Sequence, residues 1–166
     1  NNGDDGLKYL REDEGRANKV NPEAGQGRAI SVVNNTFVNN GASSPLEEVD
    51  PNGPFERRGA GIDLHMVNGS IDLQDVEIVG NVIEANTGAN TSGVLVRAEA
   101  DARILVDIRD NRIRYNTADG IELSTRENDG TDSRQIGGTW IKNQITNNGD
   151  HGVQIIGRHG LYDNIA

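Results

Sequence analysis

The chain has 166 residues, a net charge of -10 and no cysteine. This length allows one domain of ordinary size or a part of a larger one. The negative charge repels phosphate backbones and anionic lipid, so nucleic-acid binding and membrane docking are disfavoured. Disulfides and thiolate metal sites are excluded, and no apolar run approaches the ~20 residues that a membrane span needs.

One motif recurs along the chain. It reads Asn-x-apolar-x-x-Asn, then a spacer, then Gly-apolar-x-apolar. Its apolar residues have a period of two, which predicts short strands with one buried face. In chain order the copies begin at Asn35, Asn81, Asn111 and Asn143, and their glycines are Gly61, Gly93, Gly120 and Gly152.

A repeat of this kind predicts that each set of strands returns above the previous one and pairs with it in parallel, about 4.8 Å away. The asparagines are then expected at the corners, because asparagine tolerates the left-handed conformation of a sharp bend. Stacked amides can also hydrogen-bond along a column. The glycines are expected at a bend where a side chain would clash. The two predicted columns are Asn35, Asn81, Asn111 and Asn143, and Asn40, Asn86, Asn116 and Asn148.

Three segments interrupt the repeat and are predicted to project as loops, at residues 11–28, 41–60 and 124–138. The rest of residues 1–166 is predicted to be a single solenoid segment. The first residues match the second half of a motif copy, and the last match the start of another. We therefore expect an internal slice of a longer solenoid without caps. Uncapped ends expose strand edges, which would allow end-to-end self-association.

The pattern Ile-x-x-Asn-x-Ile-x-x-Asn-x-x-x-Gly-Ile-x-Leu, from Ile108 to Leu123, resembles the right-handed parallel β-helix repeat of the pectin-lyase-like superfamily. The resemblance implies an all-β, right-handed parallel β-helix of about five coils. It also implies an exported protein that is secreted, periplasmic or on the cell surface. It does not fix an activity, since the superfamily includes polysaccharide lyases, hydrolases, epimerases, adhesins and proteins with no known activity. The catalytic motifs of its hydrolases and epimerases are not found here, so the enzyme question stays open.

The residues after each glycine alternate inward and outward, which predicts a column of outward side chains. Asp63 and Glu122 would lie two coils apart, roughly 9.6 Å, near the ~6.5–9.5 Å carboxyl separation of inverting glycosidases. Arg97, between them, could neutralise a uronate carboxylate, and His65 could act as a base. These four are the predicted catalytic residues. The predicted substrate-binding residues are Lys8, Leu95, Ser124 and Gln154. The alternative is a solvated strand face whose charges discourage lateral pairing.

The sequence requires no cofactor, and Ca²⁺ is the one candidate ion. Glu127, Asp129 and Asp132 offer the oxygen ligands that Ca²⁺ prefers, although an acidic solvated loop explains them better. His151 and His159 adjoin the last copy of the motif, but their spacing supplies no third metal ligand.

Two functions from different classes follow from these observations. The leading hypothesis is a segment that binds or processes polysaccharide along its solenoid face. The alternative is a structural or adhesive extracellular spacer without an active site. The single tryptophan, Trp140, would stack on a sugar ring in the first case or pack in the core in the second.

Overall fold

The computed structural model describes residues 6–12, 30–41, 59–67, 72–88, 90–98, 103–125, 135–157 and 161–164. The regular structure in these residues is entirely β-strand, arranged in three sheets whose strands pair in parallel. The all-β class and the parallel pairing are therefore confirmed, and the architecture is consistent with the predicted β-helix. Most of the three predicted loops lies outside the described residues. Their boundaries were wrong at the edges, since residues 11–12, 60, 124–125 and 135–138 belong to strands.

Each sheet takes every third strand of the chain. Sheet A consists of β1 (Leu7–Glu12), β4 (Ala60–Val67), β7 (Ser92–Ala98), β10 (Ile121–Thr125) and β13 (Val153–Gly157). Sheet B consists of β2 (Ile30–Val33), β5 (Asp72–Val79), β8 (Arg103–Arg109), β11 (Gln135–Ile141) and β14 (Leu161–Asn164). Sheet C consists of β3 (Thr36–Val38), β6 (Val82–Glu84), β9 (Arg112–Arg114) and β12 (Gln144–Thr146).

Consecutive strands visit sheets B, C and A in turn, and we call each such set of three a coil. The first coil is β2–β4, the second β5–β7, the third β8–β10 and the fourth β11–β13. Every strand of a coil pairs with the equivalent strand of the next coil, as β4 pairs with β7 and β7 with β10. The short motif strands thus acquire partners that lie one repeat away in sequence.

The core lies between the three sheets and is built from the inward residues of each strand. In β8 the side chains alternate, with Ile104, Val106 and Ile108 buried and Asp107 exposed. Equivalent residues stack from coil to coil, as in Ile83 beside Ile113. Fully burying one such isoleucine stabilises the fold by about 1.5–3 kcal/mol. The buried core residues are Val32, Ile62, Leu64, Val76, Ile78, Ile83, Val94, Val96, Ala98, Ile104, Val106, Ile108, Ile113, Ile121, Leu123 and Ile136.

The predicted asparagine columns are present at the two ends of sheet C. We call Asn35, Asn81, Asn111 and Asn143 the first ladder, and Asn40, Asn86, Asn116 and Asn148 the second ladder. In the second ladder, Asn86 Nδ2 donates to Asn116 Oδ1 at 2.8 Å, and Asn116 Nδ2 donates to Asn148 Oδ1 at 2.9 Å. The side-chain amides therefore link the coils along the stacking direction, as predicted.

The left-handed bends do not lie at the ladder asparagines but at the residues immediately before them. Lys142 (φ 55°) precedes Asn143, and Tyr115 (φ 58°) precedes Asn116. The prediction that the ladder residues themselves take this conformation was wrong, because their amides must point at the next coil while the chain turns one residue earlier. Positive φ also occurs at the residues that precede the other ladder asparagines, namely Asn34, Asn39, Gly80, Ala85, Asp110 and Asn147.

The prediction that a side chain would clash at the column glycines is confirmed at Gly61, Gly93 and Gly120 but is wrong at Gly152, where an added Cβ would meet no atom closer than 3.8 Å. A Cβ added to Gly93 would lie 2.6 Å from the carbonyl oxygen of Gly120 and 2.9 Å from Asn116 Nδ2. Real Cβ atoms essentially never approach other atoms this closely. Glycine at this position thus lets the second ladder and sheet A approach each other.

The outward faces of sheets B and C carry exposed ion pairs between neighbouring coils. Arg114 Nε donates to Glu84 Oε2 at 2.7 Å, and Arg109 lies 3.4 Å from Glu77. The hydrogen bond with Glu84 raises the pKa of the Arg114 guanidinium. These pairs are partly solvated, so each contributes little to stability.

Candidate functional site

The candidate site is the outward face of sheet A, where the register brings the predicted residues into two columns. In the first column, Lys8 pairs with Asp63, Asp63 with Leu95, Leu95 with Glu122 and Glu122 with Gln154. In the second column, His65 pairs with Arg97, Arg97 with Ser124 and Ser124 with Ile156. These alignments match those that the sequence predicted.

The face is not an open groove in its central strands. Asp63 is 2%, Leu95 0% and Glu122 3% exposed, and Arg97 and Ser124 are also buried. His65 and Gln154 are half-buried. The expectation of a solvent-exposed strand face was therefore wrong at β7 and β10 and at Asp63. Alternation in a strand indicates which side chains face away from the core, but it does not indicate whether that second face is covered.

The ionisable side chains of this face are engaged in interactions. Ser92 Oγ donates to Glu122 Oε2 at 3.4 Å, across one coil boundary. Asp63, His65, Arg97 and Glu122 each make a further polar, ring or electrostatic interaction. Such partners are expected, because burying an uncompensated charge is strongly unfavourable.

The register places a guanidinium on the strand between those of two carboxylates, two residues along from Leu95, which is in register with both. Arg97 lies on β7, and the strands that carry Asp63 and Glu122 pair with β7 on its two sides. Chemically, this set can hold a proton or pair with an anionic group, provided that the group reaches the buried face.

The structure leaves four other predicted positions undecided. The backbone of Lys8 pairs within sheet A, but its side chain lies outside the described residues. The calcium candidates Glu127, Asp129 and Asp132 also lie outside them. Their assignment stays a prediction.

A second polar cluster lies where the third and fourth coils meet, beside the start of sheet A. His151 Nδ1 is 3.0 Å from Asp119 Oδ1 and 3.3 Å from Asp150 Oδ1. Asp119 is buried (2% exposed) and also accepts the backbone N–H of His151 at 3.0 Å. Asp150 and His151 are more than half exposed.

Sequence reasoning found His151 but missed Asp119 as its neighbour. The two residues are far apart in the chain, so helical or hairpin spacing cannot connect them. The repeat does carry a signal, since Asp119 precedes Gly120 just as His151 precedes Gly152. Equivalent positions of neighbouring coils come together, and reading the motif column by column would have paired them.

Trp140 packs against the core rather than facing outward. It lies beside Ile108 in register, and its Nε1 donates to the carbonyl oxygen of Val106 at 3.1 Å. The indole thus packs between neighbouring coils.

Comparisons with known proteins identify no similar protein. No protein-family profile matches the sequence, and neither a curated protein nor a solved structure matches it. The part of the chain that the structure describes contains no helix with the length and hydropathy needed to cross a bilayer.

Proposed function

We propose that this chain is a stretch of right-handed parallel β-helix of the pectin-lyase-like type, from an exported protein, and that it acts as a rigid non-enzymatic spacer. The observation that carries the proposal is the burial of Asp63, Arg97 and Glu122 on the one face with suitable chemistry. A polysaccharide laid across the coils needs an open strand face, and these side chains are not open to solvent.

The two asparagine ladders support the same role. The amides of Asn111 and Asn116 are buried and hydrogen-bonded on both sides, to the coil before and the coil after. Buried and fully satisfied polar networks rigidify a structure. Such a segment keeps its length and direction under load, which is what an extracellular spacer requires.

Incubation with a panel of uronate and neutral polysaccharides tests this proposal. The spacer is expected to release no reducing ends and no unsaturated uronate, and to migrate unchanged in affinity gels that contain the polymers. Hydrogen exchange should find the slowest backbone amides at the ladders, Asn81 and Asn111 among them. Product release from any polymer would contradict the proposal.

Polysaccharide binding or processing on sheet A is the second candidate. It is favoured by the register, which sets Arg97 between the strands of Asp63 and Glu122. In this case Arg97 pairs with a uronate carboxylate of the bound polymer.

Substitutions on the face separate the two candidates. If the second candidate holds, Arg97→Gln and Glu122→Gln abolish binding or turnover, whereas Glu77→Gln, on the outward face of sheet B, leaves both unchanged. If the spacer proposal holds, none of the three variants changes the polysaccharide assays. Thermal unfolding of each variant shows whether a lost signal reflects a lost fold.

A further inference from the structure

Three polar groups converge on one ring nitrogen at the junction of the third and fourth coils. His151 Nδ1 lies 3.0 Å from Asp119 Oδ1 and 3.3 Å from Asp150 Oδ1. Gln154 Nε2 lies 3.4 Å from the same nitrogen. One ligand atom from each of Asp119, Asp150 and His151 fits within 4.8 Å of the others.

A single proton cannot satisfy this arrangement. If Nδ1 carries a proton, it donates well to one carboxylate only, and it faces the N–H group of Gln154. If Nδ1 carries a lone pair instead, that lone pair faces two anionic oxygens. A cation among these atoms accepts electron pairs from all of them at once. Amide oxygen and nitrogen are assigned from hydrogen bonding, and turning the Gln154 amide brings its oxygen to the same point.

We propose that Asp119, Asp150 and His151 bind a divalent transition-metal ion of the Zn²⁺ type, with the amide oxygen of Gln154 as a further ligand. Ligand atoms about 2.0–2.2 Å from zinc lie roughly 3.3–3.6 Å apart at tetrahedral angles. The 3.3 Å distance from His151 Nδ1 to Asp150 Oδ1 falls in this range, and the 3.0 Å distance to Asp119 Oδ1 lies just below it. Asp150 is 61% exposed, so its side chain is free to rotate and close the site.

The donor set selects the metal class. Imidazole nitrogen suits zinc, copper and nickel, whereas Ca²⁺ and Mg²⁺ prefer oxygen ligands throughout. The buried carboxylate of Asp119 fixes one side of the site, because its position is held by the His151 N–H. Exposure of Asp150 and His151 leaves a path for the ion, and the net charge of -10 attracts it.

The ligands come from two coils. Asp119 immediately precedes β10 of the third coil, and His151 and Asp150 precede β13 of the fourth. A bound ion would therefore tie the two coils together and stabilise the folded state by mass action.

Calorimetric titration of the chain with Zn²⁺ tests the proposal, with Ca²⁺ titrated in parallel. We expect one Zn²⁺ per chain, a higher unfolding temperature with Zn²⁺, and much weaker binding of Ca²⁺. His151→Gln and Asp150→Asn, both at exposed side chains, should each lower Zn²⁺ affinity on the order of tenfold or more. Asp110→Asn is the matched control, since Asp110 is exposed and outside the cluster; it should leave the affinity unchanged.

Asp119→Asn completes the set, because asparagine retains an oxygen that accepts the His151 N–H but removes the charge. This variant should still fold, but it should bind Zn²⁺ more weakly than the parent chain does. No binding of Zn²⁺ by the parent chain would overturn the proposal, and the cluster would then be an ion pair only. Binding that survives both His151→Gln and Asp150→Asn would overturn it equally, since the metal would then lie elsewhere.

Discussion

Asn111 Oδ1 accepts two hydrogen bonds from Asn81 of the preceding coil, one from its backbone N–H at 2.8 Å and one from Nδ2 at 3.0 Å. Asn111 Nδ2 in turn donates to the carbonyl oxygen of Ile78 at 2.8 Å and to Asn143 Oδ1 at 2.9 Å. The two donors and both lone pairs of this amide are therefore used. No other side chain of this size offers two donors and a double acceptor, which explains why the position repeats as asparagine.

Asn111→Ala is expected to destabilise the fold strongly. It leaves the buried donors of Asn81 and the carbonyl of Ile78 without their partner, and each such group costs about 1–3 kcal/mol. We predict a loss of roughly 3 kcal/mol or more in the free energy of unfolding, measured by urea titration. Asn35→Ala is the control within the same ladder, because its exposed amide donates only to Val33 nearby. For Asn35→Ala the loss in the free energy of unfolding should stay near 1 kcal/mol or below. Equal losses in the two variants would contradict the ladder's role.

Lys142→Gly is expected to stabilise the fold. Lys142 has a φ of 55°, which costs roughly 1–2 kcal/mol for a residue with a Cβ. Glycine removes that strain but loses about 0.5–1 kcal/mol of chain entropy, so a net gain near 0.5–1 kcal/mol remains. Asn147→Gly, at a φ of 56°, is the matched control and should be close to neutral, since asparagine already tolerates this conformation. A loss of stability in Lys142→Gly would mean that the bend lies elsewhere.

Gly93→Ala is expected to prevent normal packing of the second and third coils. The new methyl group would overlap the carbonyl of Gly120 and the amide of Asn116. We predict a loss of several kcal/mol, about the size of other severe core disruptions. Gly152→Ala provides the contrast, because the nearest atom to its added Cβ is Ile145 Cγ2 at 3.8 Å. Thermal unfolding of the pair should show a large drop for the first variant and a small change for the second.

The Arg114–Glu84 pair gives a prediction about pH. Because Glu84 raises the pKa of Arg114, the guanidinium's contribution is fully present below its ordinary pKa and is lost only as pH rises through the higher folded value. The effect of Arg114→Gln on stability should therefore be the same at about pH 6 and about pH 9. Urea titration at both values checks this. A difference between them would mean that another titrating group controls the pair.

The sequence was sufficient to predict the stacked columns. The spacing of Asn111, Asn116 and Gly120 repeats in the neighbouring copies, and period-two apolar residues follow each glycine. Residues that recur at the same position of the motif must occupy the same position in each coil. The register of Asp63, Leu95 and Glu122 followed directly from this. Parallel pairing followed too, because equivalent strands lie a whole repeat apart in sequence, too far for a hairpin connection.

The sequence was not sufficient to predict which residue makes each bend or which face is covered. Asparagine is favoured both for left-handed bends and for amide ladders, and only the backbone shows that Lys142 makes the bend and Asn143 the ladder. The burial of Glu122 depends on what covers the outward face, and alternation carries no information about it. The proximity of Asp119 to His151 was missed because it depends on stacking between coils rather than on local spacing.

Each coil stacks in register on the preceding one, and disulfide trapping on sheet C measures this stacking. Cysteines are placed at Arg112 and Gln144, which are partners in β9 and β12. Their Cα atoms should be roughly 4.8 Å apart, within the ~4.4–6.8 Å that a disulfide spans. The chain has no cysteine of its own to interfere. Thr36 and Gln144 form the control pair, three strand spacings or roughly 14 Å apart. We predict that the Arg112→Cys and Gln144→Cys pair oxidises rapidly and that the Thr36→Cys and Gln144→Cys pair forms no disulfide within a chain. The reverse result, with a disulfide in the control pair and none in the first pair, would contradict the stacked arrangement.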